Sequence, residues 1–256
     1  MRKEKNNFVY GSFFFSGADL TKTNLSLKLF HKFLVFAAAL LFACEEGEPF
    51  QPADHGFEYY PLQTGMYSIF EVNETRYSQL SQPQILNYEL KTQVVDSFRN
   101  AEGDFTFVIY RYTRPDSDAE WIFLDTWSAR TNSDEAIASE GSVPYVKLSF
   151  PLSHGIRWDG NKRNNDATDE YEVKSLGEPM TINNLTFDNT LTVEQESYDD
   201  KVTRTDLRTE IFAKNVGLIR KETTQLTYCT EVICLDDRII ESGIIFQQAI
   251  KQYGIQ

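Results

Sequence analysis

From Phe57 onward, the feature that most constrains this chain is a two-residue alternation of apolar and polar side chains. No 3.6-residue period competes with it over any window of roughly a dozen residues. A strand sends successive side chains to opposite faces, so the alternation predicts strands with one face buried and one wet. Residues 185–198 show it best: Leu185, Phe187, Leu191 and Val193 share a face, interrupted only by Asn189. Thr186, Asp188, Thr190, Thr192, Glu194 and Glu196 fall on the other face. Asp199-Asp200-Lys201 reads as a turn, after which Thr203, Thr205, Leu207, Thr209 and Ile211 oppose Arg204, Asp206, Arg208 and Glu210. Asn215-Val216-Gly217 is a second turn, and an extended run follows from Leu218 to Tyr228. Together, 185–228 predicts a three-stranded antiparallel meander.

The front half carries the same signal. Leu86, Tyr88, Leu90, Thr92 and Val94 alternate with Asn87, Glu89, Lys91 and Gln93. Strands are also expected at 105–110, 121–127, 143–150 and 171–176, and a last one over 238–248, where a short helix is the alternative. Aromatics make up 14% of the chain, with 19 Phe and 13 Tyr, which suits pleated, half-buried surfaces. Nine to twelve strands in 57–256, with no internal repeat and no linker, predict one all-β antiparallel domain. Long strands and tight turns favour an up-and-down barrel or a strongly curved sheet, with a β-sandwich as the alternative.

The N-terminal part reads as an address. Lys28 and Lys32 precede the apolar run 33–42, which is 10 residues long. A membrane-spanning helix needs about 20 residues, whereas a signal-peptide core needs roughly 7–15. Residues 1–43 are therefore expected to be a signal peptide, and 44–56 an anchor and tether rich in Glu, Pro and Gly. The polar lead 1–24 is long for such a signal, and translation is expected to start later, near Leu25 or Leu27. Leu41-Phe42-Ala43-Cys44 resembles the lipobox of bacterial lipoproteins, although Phe42 departs from the small or β-branched residue usual there. That resemblance implies lipid on the Cys44 thiol and cleavage just before it.

Charge narrows the partners. Residues 1–43 hold six Lys or Arg and two Asp or Glu, so their removal leaves 19 basic and 36 acidic residues. The net charge of the body is then −17, against −13 for the whole chain. Such a body repels nucleic-acid phosphates and anionic lipid, so membrane contact is expected through the lipid alone. Of three cysteines, Cys229 and Cys234 remain as a pair once Cys44 is set aside, and export predicts a disulfide between them. So small a ring contributes about 2 kcal/mol. No His lies near the pair, so a metal site is not expected, and the spacing excludes a Cys-x-x-Cys redox motif.

Three stretches of the body, Tyr59-Tyr60-Pro61-Leu62-Gln63-Thr64-Gly65-Met66-Tyr67, Phe150 to Asn161 and Val216 to Glu222, resemble uncharacterised lipoproteins of the Bacteroidota. In those proteins an aromatic-Pro-Leu-x-x-Gly stretch follows the anchor and leads into the first strand. The resemblance implies an envelope location and no known activity. Glu45, Glu46 and Glu48 resemble the acidic surface-export signal of the same organisms, with periplasmic and outward orientations both open. Physically, Pro suits a strand entry, Leu points into the core and Gly permits a turn, so both Pro-Leu-x-x-Gly copies are expected to be architectural.

Catalytic patterns are sparse. The body has His55 in the tether and His154 beside Ser153, and no Gly-x-Ser-x-Gly elbow. Carboxylates are abundant, but their spacing on strands cannot show a pair held across a substrate. Residues 159–166 open like a calcium loop, yet Arg163 stands where a third ligand should be. Trp121, Trp127 and Trp158 could form a ligand-binding platform, with Trp121 and Trp127 on one face of a regular strand; core packing is the competing reading. The expected function is a non-enzymatic module without cofactor or metal that binds a small ligand or an envelope protein. A purely structural assembly component and an unrecognised hydrolase are the alternatives.

Overall fold

The computed structural model describes residues 55–256 apart from 102, 235 and 236. The expected signal segment, Cys44 and the tether up to residue 54 lie outside the described residues. A single 3₁₀ turn at Phe57–Tyr59 precedes twelve strands. These are β1 (Met66–Ser78), β2 (Ser81–Arg99), β3 (Phe105–Arg114), β4 (Ile122–Thr131), β5 (Glu135–Glu140) and β6 (Val143–Ser149). The second half contributes β7 (Arg157–Asp159), β8 (Glu170–Ile182), β9 (Leu185–Asp199), β10 (Arg204–Ala213), β11 (Gly217–Tyr228) and β12 (Ile240–Ile255). The described residues contain no α-helix, and the expected last strand is β12.

All twelve strands form one antiparallel sheet in which each pairs with its sequence neighbours, and β12 pairs with β1. Only β6 and β7 do not pair, so the sheet is a nearly closed up-and-down barrel rather than a sandwich. Single bonds bridge this seam. The Val146 amide donates to the Gly160 carbonyl at 2.9 Å, and the Trp158 indole Nε1–H donates back to the Val146 carbonyl at 2.9 Å. Asn164 Nδ2 reaches the Pro144 carbonyl at 3.0 Å.

Local chemistry sets the curl. Asn183 and Asn184, both at positive φ, make the two-residue turn between β8 and β9 that matches strand twist. Register shifts near Ile69, Val94, Arg208 and Ile211 bend the strands they interrupt. The bend carries the β8–β9 turn across to β12, where Asn183 Nδ2 donates to the Ile250 carbonyl at 3.1 Å and Phe187 meets Tyr253 at 6.0 Å.

The core consequently has two parts. One gathers Val146, Leu148, Val173, Leu191, Val193 and Phe212 with Tyr59, Phe150 and Leu152. The other gathers Phe70, Val72, Ile182, Phe187, Ile219 and Ile250 with Ile211. Ile211 and Phe212 are consecutive on β10 and serve the two clusters from opposite faces. The middle of this strand is thus covered on both sides, which corrects the one-wet-face reading of 203–211. Glu210, expected among the solvated side chains, is 1% exposed, and Leu207, expected inside, is 41% exposed.

The segment leading into the first Pro-Leu-x-x-Gly copy lies against the second copy. The Leu152 amide donates to the His55 carbonyl at 3.1 Å, Phe57 packs edge-on to Phe150 at 4.7 Å, and Tyr59 joins their cluster. Gly65, at φ +93°, turns the chain into β1 where a Cβ would lie 2.5 Å from the Gln256 carbonyl oxygen. Its amide and carbonyl are bonded to Val94 and Gln256 at 2.8 and 2.9 Å, so this glycine locks the chain entry to the last residue.

Candidate functional site

Inside the barrel lies a cavity of about 400 Å³ that opens to solvent. Most of its wall is apolar, with Phe70, Leu90, Ile109, Trp127, Phe212 and Phe246 contributing from six strands. The entry segment supplies Tyr60, Pro61 and Leu62, with the Pro61 ring 3.7 Å from where a Cβ on Gly217 would stand. The Asn215 amide donates to the Glu58 carbonyl at 2.7 Å, which pins this segment beneath the β10–β11 turn. The aromatic-Pro-Leu-x-x-Gly stretch is therefore both strand entry and cavity wall.

Against the apolar wall stands a ring of charge from β5, β6, β10 and β11. Lys147 Nζ lies 2.6 Å from Glu210 Oε1 and 3.2 Å from Glu140 Oε1. Lys221 Nζ closes the ring at 3.3 Å from Glu210 and 3.9 Å from Glu140. Arg111 adds a third cation on β3, paired with Asp125 at 3.3 Å and stacked on the Trp127 ring at 3.8 Å. Glu210 Oε2 and Arg111 Nε are buried, and no protein group pairs with either atom.

The ring alters its own ionisation. Burial pushes the Glu140 carboxyl up, but Lys147 and Lys221, with Arg111 beyond, outweigh it and hold the group at about 2. Burial also pushes Glu210 up, and the same two lysines more than offset it. For Lys147 burial works downward, and the carboxylates of Glu210 and Glu140 raise it well above the ordinary lysine range. Arg111 is lowered by burial, against the pull of Asp125 and Glu140. Glu140, Glu210, Lys147 and Arg111 are thus charged at neutral pH. The ring offers fixed positive and negative points in a mostly apolar chamber.

Of the three tryptophans, Trp127 lines this cavity and the other two do not. A bulge at Leu124, where Tyr112 pairs with Phe123 but Arg111 with Asp125, reverses the facing of β4. Trp121 therefore lies on the outer face, stacked on Arg114 at 4.2 Å, while Trp127 points inward. Trp158 is buried at the seam. Sequence spacing could not show this, because one extra residue inverts every position beyond it. Nor could it pick out Lys147, Glu140 and Glu210, whose shared site is built across the barrel.

The other motifs fall elsewhere. Cys229 and Cys234 are joined by a disulfide in the β11–β12 loop, with Cα atoms 5.9 Å apart. Ser153 and His154 are exposed on the loop after β6. In the 159–166 loop, Asp159 Oδ1 accepts from the Asn161 and Asp169 amides, and Lys162 and Arg163 pair with the buried Glu135. Among the described residues no group of three or more His, Cys, Asp or Glu could hold a metal ion.

Removing one member of the ring strands its partners. Lys147→Met should destabilise the fold by about 3–5 kcal/mol in urea denaturation, because two buried carboxylates are then left to Lys221 alone and one negative charge goes uncompensated. Replacing Glu140 and Glu210 by apolar residues in the same chain should recover much of the loss. The ring also sets an acid limit. A carboxyl lowered from 4.5 to about 2 by folding stabilises the native state above pH 4.5, and that contribution disappears as pH falls through about 2. Thermal melts from pH 6 downward should therefore show Tm falling in this window, and the fall should be smaller in Glu140→Gln; equal losses would separate the acid limit from Glu140.

No protein-family model matches the chain, and no curated protein does. Among solved structures, it is similar to a candidate exported protein with a YmcC-like fold from Bacteroides fragilis, at 14% identity and a TM-score of 0.43. That likeness covers 76% of this chain and 97% of the other. A second crystal structure, of a candidate lipoprotein from Parabacteroides distasonis, is 12% identical with a TM-score of 0.40, covering 80% of this chain and 100% of the other. Likeness at this level carries no functional assignment.

Proposed function

We propose that this chain is a lipid-anchored protein of the bacterial outer membrane that binds a small ligand inside its barrel and catalyses no reaction. The observation that carries the binding role is the cavity of about 400 Å³, mostly apolar with a few convergent charged groups. Ligand sites of this size and lining are typical of proteins that enclose a small molecule. Cys44, behind a basic and then apolar lead, supports the anchor, and the acidic body leaves the lipid as its hold on the bilayer. Trp127, which lines the cavity, is the tryptophan assigned to the ligand in this reading, while Trp121 and Trp158 serve packing.

A second reading, a component of an envelope assembly, draws on one observation. On the outer face of β3 and β4, Tyr110, Tyr112 and Phe123 pack edge-on at 5.6–6.4 Å, with Tyr110 and Phe123 exposed. Contiguous apolar surface of this kind suits a protein contact.

Two experiments test the proposal. Native mass spectrometry of the body from residue 45, expressed in its own host and purified without detergent, should show an added mass that is lost on denaturation. A bare mass would move the weight to the assembly reading. Fractionation of host cells should find the chain with the membranes and release it in Cys44→Ser; membrane retention of that variant would sink the lipid anchor.

A further inference from the structure

We infer that the ligand is an uncharged amphiphile whose head group both donates and accepts a hydrogen bond, such as a hydroxyl or primary amide on an aliphatic chain. The inference rests on the cavity being the binding site. Three features of the wall lead to it.

The first is size. At ~30 Å³ for each water-sized group, a cavity of about 400 Å³ takes roughly a dozen non-hydrogen atoms. The second is polarity. Phe70, Leu90, Ile109, Phe212 and Phe246 offer no hydrogen bond, so the body of the ligand is hydrocarbon. The third is the unused capacity of the charged wall. Glu210 Oε2 is a buried acceptor and Arg111 Nε–H a buried donor, both on residues that line the cavity and both without a protein partner. A head group that gives a hydrogen bond to the carboxylate and takes one from the guanidinium satisfies them together or one at a time.

Charge balance selects an uncharged head. Arg111, Lys147 and Lys221 are met by Glu140, Glu210 and Asp125, so the cluster is already neutral. An ionised carboxylate or ammonium would bring in a charge with no free counterion, and burial makes that costly. A hydroxyl or amide meets both unused atoms without disturbing the balance.

The test uses the full chain carrying Cys44→Ser, so that no anchor lipid competes for the cavity. The probes are 1-decanol, decanoate and decylammonium, each below its aggregation concentration at pH 7. Calorimetry reports binding, and tryptophan emission that is lost in Trp127→Phe reports that the probe sits in the cavity. The expected result is 1-decanol binding about tenfold or more tightly than either ion. Arg111→Lys keeps the charge but loses the Nε–H donor, and should weaken 1-decanol by about tenfold. Glu210→Gln leaves a surplus positive charge on the wall and should raise decanoate affinity by about tenfold. Should either variant fail to fold by circular dichroism, the ranking of the three probes on the parent chain decides alone. A preference for decanoate or decylammonium overturns the uncharged head while leaving the cavity as a binding site. Binding of none of the three to folded protein overturns the cavity reading, and this inference with it.

Discussion

The ion pair between Lys147 and Glu210 organises this molecule. β6 and β10 are far apart in the strand order, and the sheet is open between β6 and β7. A cation on one and a carboxylate on the other, 2.6 Å apart and both nearly inaccessible to water, tie the two flanks together through the interior. Neither charge could be buried alone, since the cost of desolvating an isolated ion far exceeds what surrounding packing returns. Glu140 and Lys221 complete the arrangement, so that each buried charge meets two of opposite sign. All four ring residues line the cavity, which aromatic side chains fill only in part.

The remaining seam follows from that clamp. Trp158 covers the gap from the β7 side and donates to the Val146 carbonyl, satisfying a backbone group that the missing ladder would leave bare. The entry segment before β1 does related work at another part of the wall, where Pro61 and Leu62 replace strand residues as lining. Edge strands are thus covered by side chains and loop instead of a continuous ladder, which is one of the ways a nearly closed sheet avoids pairing with another molecule.

Much of the fold was legible in the alternation. The meander over 185–228 appears as β9, β10 and β11, the turns at 199–201 and 215–217 stand where their polar and glycine residues put them, and long strands with tight turns correctly favoured a barrel over a sandwich. Strand β5 was not legible, because Glu135-Ala-Ile-Ala-Ser-Glu140 is short and its small residues carry little β signal. The facing of side chains was legible only between bulges. At Leu124 an extra residue reverses the two faces and turns Trp127 inward, while on β10 both faces are covered, so Glu210 lies inside on the face that the alternation read as wet.

The sequence by itself determined the class of fold, the positions of most strands and turns, and the acidic character of the chain. These follow from local chemistry, in which period, turn residues and net charge act over a few positions at a time. The tertiary structure alone decided which charges are buried and what they enclose. Glu140, Lys147, Glu210 and Lys221 lie on four separate strands, and in sequence only Glu210 is assigned a face, the solvated one. Only closure of the sheet brings them within 2.6–3.9 Å of one another, and the low-dielectric interior strengthens their mutual attraction.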